Sequence, residues 1–197
     1  MARTKNFDRE EKLLEAMALF WQQGYADTSV ADLVNHLGIN RFSLYNTYTD
    51  KETLYREALD YYLYKISFPR ISRAFPESAG LAQLIDYLKD FAQLQQEQPY
   101  GCFVQNAILE RAFRDDDVLK TGGLLYQTLS DRFRQALETA QQHQEISPAL
   151  DPLVFSHFLV LQMQGIRVLG KARQYEMIEH AMQVLMQVIQ AQRVQAP

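Results

Sequence analysis

Apolar residues recur along this chain at intervals of three and four positions, and strict alternation of apolar and polar residues is almost absent. The interval is the period of an amphipathic α-helix. In the first segment, for example, Leu13, Met17 and Phe20 form one stripe. We therefore predict an all-α protein of about nine helices. Their expected ranges are 8–23, 29–37, 41–48, 49–68, 81–97, 99–113, 121–144, 152–171 and 174–194.

Capping residues define the ends of the first helices. Ser29 stands where a helix N-cap accepts a backbone N–H bond, and Asn40 has the same position before the third helix. Gly38 is a natural stop for the second helix. Thr49 and Glu52 have the spacing of a capping box, so the fourth helix is expected to begin at Thr49.

Two stretches read as breaks between helices. The segment FPRISRAFPESAG, residues 68–80, contains two prolines and is predicted to be a linker, because Pro69 should end the preceding helix. The triplet DDD at 115–117 is predicted to be a solvated loop, since adjacent carboxylates repel one another without a cation. We expect a small domain over residues 1–60 and a larger one over residues 61–197.

The second and third helices are separated by a very short turn, residues 38–40. Two short helices joined by a tight turn form a helix-turn-helix, whose second helix can enter the DNA major groove. At about 100° per residue, Leu44 and Tyr48 share one side of the third helix. Phe42 and Asn46 then point almost directly away from that side.

Outward side chains on the third helix have chemistry that suits DNA. Phe42 can contact a thymine methyl group, and Asn46 can form a bidentate pair with an adenine edge. Ser43 and Tyr45 lie on the flanks, where their hydroxyl groups can bond phosphates. The alternative is a helical protein-interaction or enzyme domain that uses this surface to bind a protein partner, because exposed aromatic residues also mark protein interfaces.

The charge of the chain limits this DNA hypothesis. The net charge is −4, and residues 1–60 hold seven Lys or Arg against ten Asp or Glu. A polybasic nucleic-acid coat is therefore excluded, although a local basic patch is not. Candidate phosphate contacts are the N-termini of the second and fourth helices, helped by Ser29 and Lys51. Arg3 and Lys5 could add an N-terminal arm, and we predict a shallow salt dependence of binding.

The same residues resemble the TetR family of bacterial transcription regulators. The resemblance covers ALFWQQGYADTSVADLVNHLGINRFSLYNTYTDKETLYREAL, residues 18–59, in which GY, TSV, GIN and SLYNTYTDKETL follow in the order and spacing of the family. It implies a homodimeric, effector-released repressor that binds a palindromic double-stranded operator. The phosphate-contacting positions implied by the resemblance are Thr28, Ser43, Tyr45 and Lys51, and the implied base-reading positions are Arg41, Phe42 and Asn46.

The two terminal helices are the expected dimer interface. The segment DPLVFSHFLVLQMQGIRVLG, residues 151–170, is apolar on more than one side, and the last helix carries a stripe that includes Ile178, Leu185 and Ile189. Two such helices from each subunit would form a four-helix interface over residues 152–194, as the resemblance also implies. The alternative is that residues 152–171 form the central helix of a monomeric core.

Several polar or reactive residues of the larger domain are candidates for an effector pocket. YGCFVQNAILE, residues 100–110, resembles the start of a helix in one branch of the family. Asn106 and Glu110 could supply the few polar groups of a pocket, or cap a neighbouring helix. Cys102 could sense an electrophile or oxidant from a helix N-terminus, or be a small core residue. The full candidate set is Cys102, Asn106, Glu110, Phe113, Tyr126, His157, Gln162 and Arg167.

The remaining composition excludes other classes. The single cysteine rules out an internal disulfide and is typical of a reducing cytoplasm. The N-terminus has no apolar segment of the secretory type, and no run of about 18 apolar residues predicts a membrane span. The histidines at 36, 143, 157 and 180 lack metal-ligand spacing, and no catalytic constellation is evident. We expect a cytoplasmic protein that is not an enzyme and that needs no metal or cofactor.

Overall fold

The computed structural model describes residues 7–98 and 100–194. Over these residues the regular secondary structure is helical, apart from an isolated antiparallel bridge between Ile146 and Arg193, and the all-α prediction is confirmed. The helices are α1 (Arg9–Gln23), α2 (Val30–Leu37), α3 (Arg41–Tyr48), α4 (Lys51–Tyr61), a π-helical segment (Tyr62–Ser67), α5 (Phe68–Ala74), α6 (Leu81–Glu97), α7 (Phe103–Arg111), α8 (Asp116–Gln142), α9 (Pro152–Lys171) and α10 (Tyr175–Gln190).

The chain forms two compact units that are not consecutive in sequence. Among the described residues, the first unit comprises the chain up to Ser67 together with Cys102–Gly123. The second comprises Phe68–Gly101 and the chain from Leu124 onward. The expected division at residue 60 therefore differs from the observed compact units, because α7 and the start of α8 pack with the N-terminal helices.

An aromatic cluster explains why α7 belongs to the first unit. The ring of Phe103, in the first turn of α7, is 1% exposed and lies edge-on to Tyr55 of α4 at 5.5 Å between ring centroids. Tyr62 contacts the same ring at 5.8 Å, and Tyr55 is edge-on to Phe20 of α1 at 5.0 Å. Such edge-to-face pairs add to the hydrophobic gain of burying the rings. The cluster therefore fixes α7 against α1 and α4.

The predicted end of the fourth helix at Phe68 is wrong, and residues 68–74 are not a linker. The helical path continues from Lys51 to Ala74 through the π-helical segment Tyr62–Ser67, which precedes Pro69. A proline inside an α-helix has no N–H to donate, and its ring clashes with the carbonyl four residues earlier. A π-helical turn changes the local hydrogen-bond register, which lets the chain stay helical past Pro69. If Lys51–Ala74 is counted as one run, the described residues form nine helices, as expected.

The triplet at 115–117 is also not a solvated loop. The Asp115 side chain is 1% exposed, and its carboxylate accepts bonds from Arg111 Nη2 at 3.0 Å and Arg56 Nη2 at 3.4 Å. It also accepts the backbone N–H groups of Asp117 and Val118. The two arginines supply the cations that the sequence prediction lacked, so α8 begins at Asp116 rather than at residue 121.

The second unit is built on α6, α8, α9 and α10. The inward stripe of α8 is fully packed, with Leu129 and Phe133 showing no exposed surface. One polar pair lies in this core: Ser130 and Ser156 are buried with their hydroxyl oxygens 2.9 Å apart, and Ser156 also donates to the Leu153 carbonyl. A buried hydroxyl needs such a partner to offset its desolvation.

The ionised Asp115 carboxylate should stabilise the first unit in a pH-dependent way. Burial raises the pKa of Asp115, but hydrogen bonds from Arg111 and the Val118 N–H, with the charges of Arg56 and Arg111, lower it by more. The net pKa lies below the ordinary value of 3.8. A depressed folded-state pKa contributes stability that is present above the ordinary pKa and is lost as pH falls through the folded-state pKa.

We expect Asp115→Asn to lower the free energy of unfolding at pH 7 by about 2–3 kcal/mol, because Arg56 and Arg111 lose their one buried carboxylate partner and keep only exposed ones. Urea denaturation followed by circular dichroism measures this loss. The matched control is the exposed neighbour Asp116→Asn, which should cost much less. The difference between the two variants should shrink at pH 3. An equal effect of both variants, or a difference that does not depend on pH, would contradict the assignment.

Candidate nucleic-acid interface

A left-handed glycine and a capping amide make the turn between α2 and α3. Gly38 has φ 62° and ψ 25°, a conformation that glycine adopts without steric cost. Two residues later, Asn40 is the N-cap of α3, and its side-chain oxygen accepts the Ser43 N–H at 2.8 Å. The tight helix-turn-helix predicted from residues 38–40 is therefore present.

Two buried side chains fix the rotation of α3 about its axis. Leu44 has no exposed surface and Tyr48 has 1%. The Tyr48 hydroxyl donates to the Arg9 carbonyl of α1 at 2.6 Å, and the Arg9 guanidinium lies 5.0 Å from the centre of the Tyr48 ring. Burial raises the pKa of Tyr48 to about 12, against the opposing charge of Arg9, so the phenol stays a protonated donor.

The opposite side of α3 is open to solvent, as the helical geometry predicted. Phe42 is 74% exposed and Tyr45 is 41% exposed. Arg41 and Asn46 are exposed and Ser43 is half-buried. The exposed side of this eight-residue helix therefore presents the apolar ring of Phe42 together with hydrogen-bonding groups. That combination can read both a thymine methyl group and a base edge.

The N-terminus of α2 is closed by its own capping box. Ser29 Oγ accepts the Asp32 N–H at 3.1 Å, and the Ser29 N–H donates to the Asp32 carboxylate at 2.8 Å. Hydrogen bonds from the Ser29 side chain and backbone lower the pKa of Asp32. Ser29 is exposed, so its hydroxyl can donate to a phosphate in place of the Asp32 carboxylate while its oxygen still accepts the Asp32 N–H.

The predicted capping box at Thr49 and Glu52 is wrong. Thr49 has φ 67°, whereas an N-cap residue has an extended backbone, and Thr49 instead ends α3 by donating its N–H to the Tyr45 carbonyl. Asp50 is the N-cap of α4 and accepts the Thr53 N–H at 2.7 Å. The start of α4 therefore carries a carboxylate of its own, which competes with a phosphate for the same N–H groups.

Thr28 does not have the placement that the family resemblance implies. Its side chain has no exposed surface, and its hydroxyl donates to the Gly24 carbonyl at 2.6 Å. In this conformation the side chain holds the loop between α1 and α2, residues 24–29, and its hydroxyl is not open to solvent; a phosphate contact by Thr28 stays a prediction.

Lys51 lies over an aromatic ring rather than extending into solvent. Its ammonium nitrogen is 4.1 Å from the centre of the Tyr25 ring, and the Arg111 guanidinium is 3.7 Å from the centre of the same ring. Burial lowers the pKa of Lys51, while the charge of Glu110 opposes that shift. Both contacts are cation–π geometries. Tyr25 thus holds a predicted phosphate contact next to the last turn of α7.

Glu110 was expected in an effector pocket, and the structure gives it a different role. Its Oε2 accepts the Tyr25 N–H at 2.9 Å, and its Oε1 accepts the Ala26 N–H at 2.6 Å. Gly24 leaves room for the carboxylate, since a Cβ there would lie 3.1 Å from Oε2. That Glu110 lines an effector pocket stays a prediction. Among the alternatives considered, capping a neighbouring segment is the one observed.

The other effector candidates are divided between the two units. In the first unit Cys102 is buried as the N-cap of α7, Asn106 is half-buried and Phe113 is fully exposed. An exposed Phe113 does not line a pocket within this unit. In the second unit the candidates Tyr126, Gln162 and Arg167 are half-buried and His157 is exposed, with the Arg167 guanidinium 5.0 Å from the centre of the Phe91 ring.

A cavity of about 220 Å³ lies in the first unit, between α4 and the start of α8. Its lining contains none of the predicted effector residues. The lining residues are Arg56, Leu59, Asp60, Asp117, Val118, Lys120 and Thr121.

The predictions for the N-terminal arm and for membrane spans concern other parts of the chain. Arg3 and Lys5, the proposed N-terminal arm, lie outside the described residues. No membrane span was expected. Among the described helices, Pro152–Lys171 is long and apolar enough to cross a membrane by length and composition alone, a test that helices of proteins without membrane spans also pass. Its most apolar 18-residue window has mean hydropathy 1.3, and 28% of that window is buried.

Two family models match the chain. Residues 13–58 match the bacterial regulatory proteins of the tetR family, and residues 79–185 match the tetracyclin repressor-like C-terminal domain. The chain belongs to the TetR family of bacterial regulatory proteins. The suspected resemblance is confirmed, and the second match extends it from residues 18–59 through most of the body.

Curated relatives and solved structures of the TetR family agree with this membership. The HTH-type transcriptional repressor ComR of Escherichia coli K12 is 32% identical over 185 residues, which cover 92% of this chain and 87% of ComR. A TetR regulator of Chloroflexus aurantiacus J-10-FL has the same fold, with a TM-score of 0.83, 23% identity and coverage of 95% and 96%. A cysteine mutant of the TetR regulator CifR, solved with a 26-base-pair operator, gives a TM-score of 0.72, 26% identity and coverage of 92% and 98%.

This TetR-family protein is therefore a DNA-binding transcription regulator and not an enzyme. The alternative of a helical enzyme or scaffold is not supported. Sequence reasoning nevertheless missed the inward partners of this interface, namely Tyr25, Arg111 and Asp115. One available signal was the i, i+4 spacing of Arg111 and Asp115 on one side of a helix end, which places opposite charges next to each other.

Proposed function

We propose that this regulator is a cytoplasmic homodimeric repressor that binds a palindromic operator and is released by a small-molecule effector. The observation that carries the proposal is the orientation of α3, with Leu44 and Tyr48 buried and Phe42 and Asn46 exposed. The relative ComR, a repressor, supports the direction of regulation. The operator complex of CifR supports the mode of binding.

Base reading is assigned to three residues of α3. Asn46 bonds an adenine edge, Phe42 contacts a thymine methyl group, and Arg41 reaches a base or phosphate from the helix start. All three are exposed on a helix whose rotation is fixed by buried side chains. A recognition helix fixed in this way presents the same edge to every half-site, which is the basis of sequence discrimination.

Phosphate contacts are assigned to Ser29, Ser43, Tyr45 and Lys51. Three of them carry neutral hydroxyl groups: Ser43 and Tyr45 on α3, and Ser29 at the start of α2. Lys51 must exchange its contact with the Tyr25 ring for a phosphate. Because few cations are involved, the salt dependence of DNA binding should be shallow.

Selection from a random DNA pool with the purified protein tests the proposal directly, because a homodimer should select a palindrome. For the selected site, Asn46→Ala should weaken binding by about 1–3 kcal/mol and relax the preference at one base position per half-site. Tyr45→Phe should weaken all DNA sequences alike, since it removes a phosphate contact. Electrophoretic shift assays measure both effects.

The rival assignment, a protein-binding surface, predicts that neither variant changes DNA binding. Failure to select any consensus sequence would also overturn the proposal. Wild-type thermal stability in both variants is the control, because both side chains are exposed and their loss should not unfold the protein.

The apolar outer faces of α9 and α10 support dimerisation through these helices. Leu161 is 66% exposed and Val168, one heptad further on, is 54% exposed. Val184 of α10 is 58% exposed. A helix buried at the centre of a monomeric core would not leave such a face open, and exposed apolar patches are typical of subunit interfaces. A Cβ at Gly165 would meet nothing within 4 Å inside the chain, which leaves space for a partner helix.

Leu161→Lys should weaken the dimer on the order of tenfold or more, because the charge would be buried without a partner. Analytical ultracentrifugation over a concentration series measures the dimer dissociation constant. Ala82→Lys, on an exposed position of α6, is the matched control and should leave the dimer intact. If both variants sediment as the wild type does, the interface is elsewhere.

We propose that the effector binds non-covalently and that Cys102 is a packing residue. Its side chain is 6% exposed, and it lies in the first unit beside the aromatic cluster. N-ethylmaleimide should therefore modify the native protein on the order of tenfold or more slowly than the urea-unfolded chain, since burial blocks access. Mass spectrometry follows the reaction. Rapid modification of the native protein, with loss of operator binding, would instead assign Cys102 as an electrophile sensor.

A further inference from the structure

The last turn of α7 holds the loop between α1 and α2 by two charge-assisted hydrogen bonds. Both oxygens of Glu110 are used, one for the Tyr25 N–H at 2.9 Å and one for the Ala26 N–H at 2.6 Å. The two donors are consecutive in the chain and lie just beyond the C-terminus of α1. A bidentate carboxylate is well matched to such a pair of N–H groups.

This loop leads directly to groups assigned to DNA binding. It runs from Gly24 to Ser29, and Ser29 is the N-cap of α2. Thr28 fixes the far side of the loop by donating to the Gly24 carbonyl. Tyr25, held at its N–H by Glu110, carries the ring beneath Lys51. The position of Ser29 therefore depends on this carboxylate, and so does that of the ring that Lys51 leaves when it binds a phosphate.

Arg111 strengthens the arrangement from the next position on α7. Its guanidinium lies 3.7 Å from the centre of the Tyr25 ring, and it donates to the buried carboxylate of Asp115 at 3.0 Å. Arg111 thus contacts the ring of Tyr25, and Glu110 accepts the backbone N–H of the same residue. Two adjacent residues of α7 fix one residue of the DNA-binding unit.

We propose that Glu110 is a positioning residue for operator binding: its carboxylate holds the loop 24–29 so that Ser29, at the start of α2, meets the DNA backbone. The inference rests on the proposed operator binding by α3. It makes the last turn of α7 part of the DNA-binding machinery although Glu110 touches no DNA itself. Its effect is on phosphate contacts and not on base reading.

Electrostatics alone predicts the opposite effect of neutralising Glu110. Removing a carboxylate from the DNA-binding unit reduces the repulsion between this unit and the phosphates. It also removes the attraction between Glu110 and Lys51, which Lys51 must overcome to reach a phosphate. A simple charge effect would therefore tighten DNA binding in Glu110→Gln. A positioning role weakens it, because an amide offers only one acceptor oxygen to the two N–H groups. The sign of the change separates the two explanations.

The experiment compares full-length wild type, Glu110→Gln and Glu110→Ala on the selected operator, with the exposed Glu77→Gln as the matched charge control. We expect both Glu110 variants to bind about 5- to 50-fold more weakly, within the range of couplings between sites. The loss should be the same for operators changed at the base read by Asn46. Glu77→Gln should bind as the wild type does.

Amide hydrogen exchange without DNA supplies the second readout. Exchange at Tyr25 and Ala26 should become faster in both Glu110 variants at a temperature where circular dichroism shows the wild-type helix content. Unchanged or tighter DNA binding in Glu110→Gln, or unchanged exchange at both amides, overturns the proposal. If the wild type binds no operator, the proposed function fails instead, and the exchange result still tests the hold of Glu110 on the loop.

Discussion

The burial of Leu44 and Tyr48, on the inner side of α3, is the constraint on which the proposed DNA-binding surface depends. A helix of eight residues is not stable alone in water, so its orientation comes from packing rather than from helix propensity. The hydrogen bond from the Tyr48 hydroxyl to the Arg9 carbonyl ties the end of α3 to α1. With those two side chains inside, helical geometry alone turns Phe42 and Asn46 outward.

The charges of the first unit are largely engaged in contacts within it. Arg9 pairs with Glu57 at 2.7 Å, Arg56 and Arg111 share the buried Asp115, and Lys51 lies over an aromatic ring. These residues hold helices together, so in the proposed binding mode neutral hydroxyl, amide and N–H groups make a large share of the DNA contacts. A regulator with net charge −4 can bind DNA in this way, because hydrogen bonds to phosphate do not need a polybasic surface.

The sequence was informative for most local features. Helical period, the capping residues Ser29 and Asn40, and the outward face of α3 all follow from residues within one or two turns of each other, and each is confirmed. Two of the errors are local, namely the cap placed at Thr49 instead of its neighbour Asp50 and the helix end placed at Pro69. The others arise from partners distant in sequence. Asp115 is buried because Arg56, on another helix, neutralises it, and Glu110 meets backbone N–H groups more than eighty positions away. The chain stays helical past Pro69 by way of a π-helical segment, which the pattern of hydrophobic residues does not predict.

The same distant contacts explain why the observed units differ from two consecutive domains. Residues 102–123 return to the N-terminal helices through an aromatic ring at one end of α7, Phe103, and through charged groups at the other, Glu110 and Arg111. Consecutive residues on a helix differ in direction by about 100°, so Glu110 and Arg111 can contact the backbone and the ring of Tyr25 from different sides. A small rotation or shift of α7 would disturb both contacts together. The end of α7 is therefore a point where a change in this helix alters the loop before α2 while α3 keeps its own buried anchors.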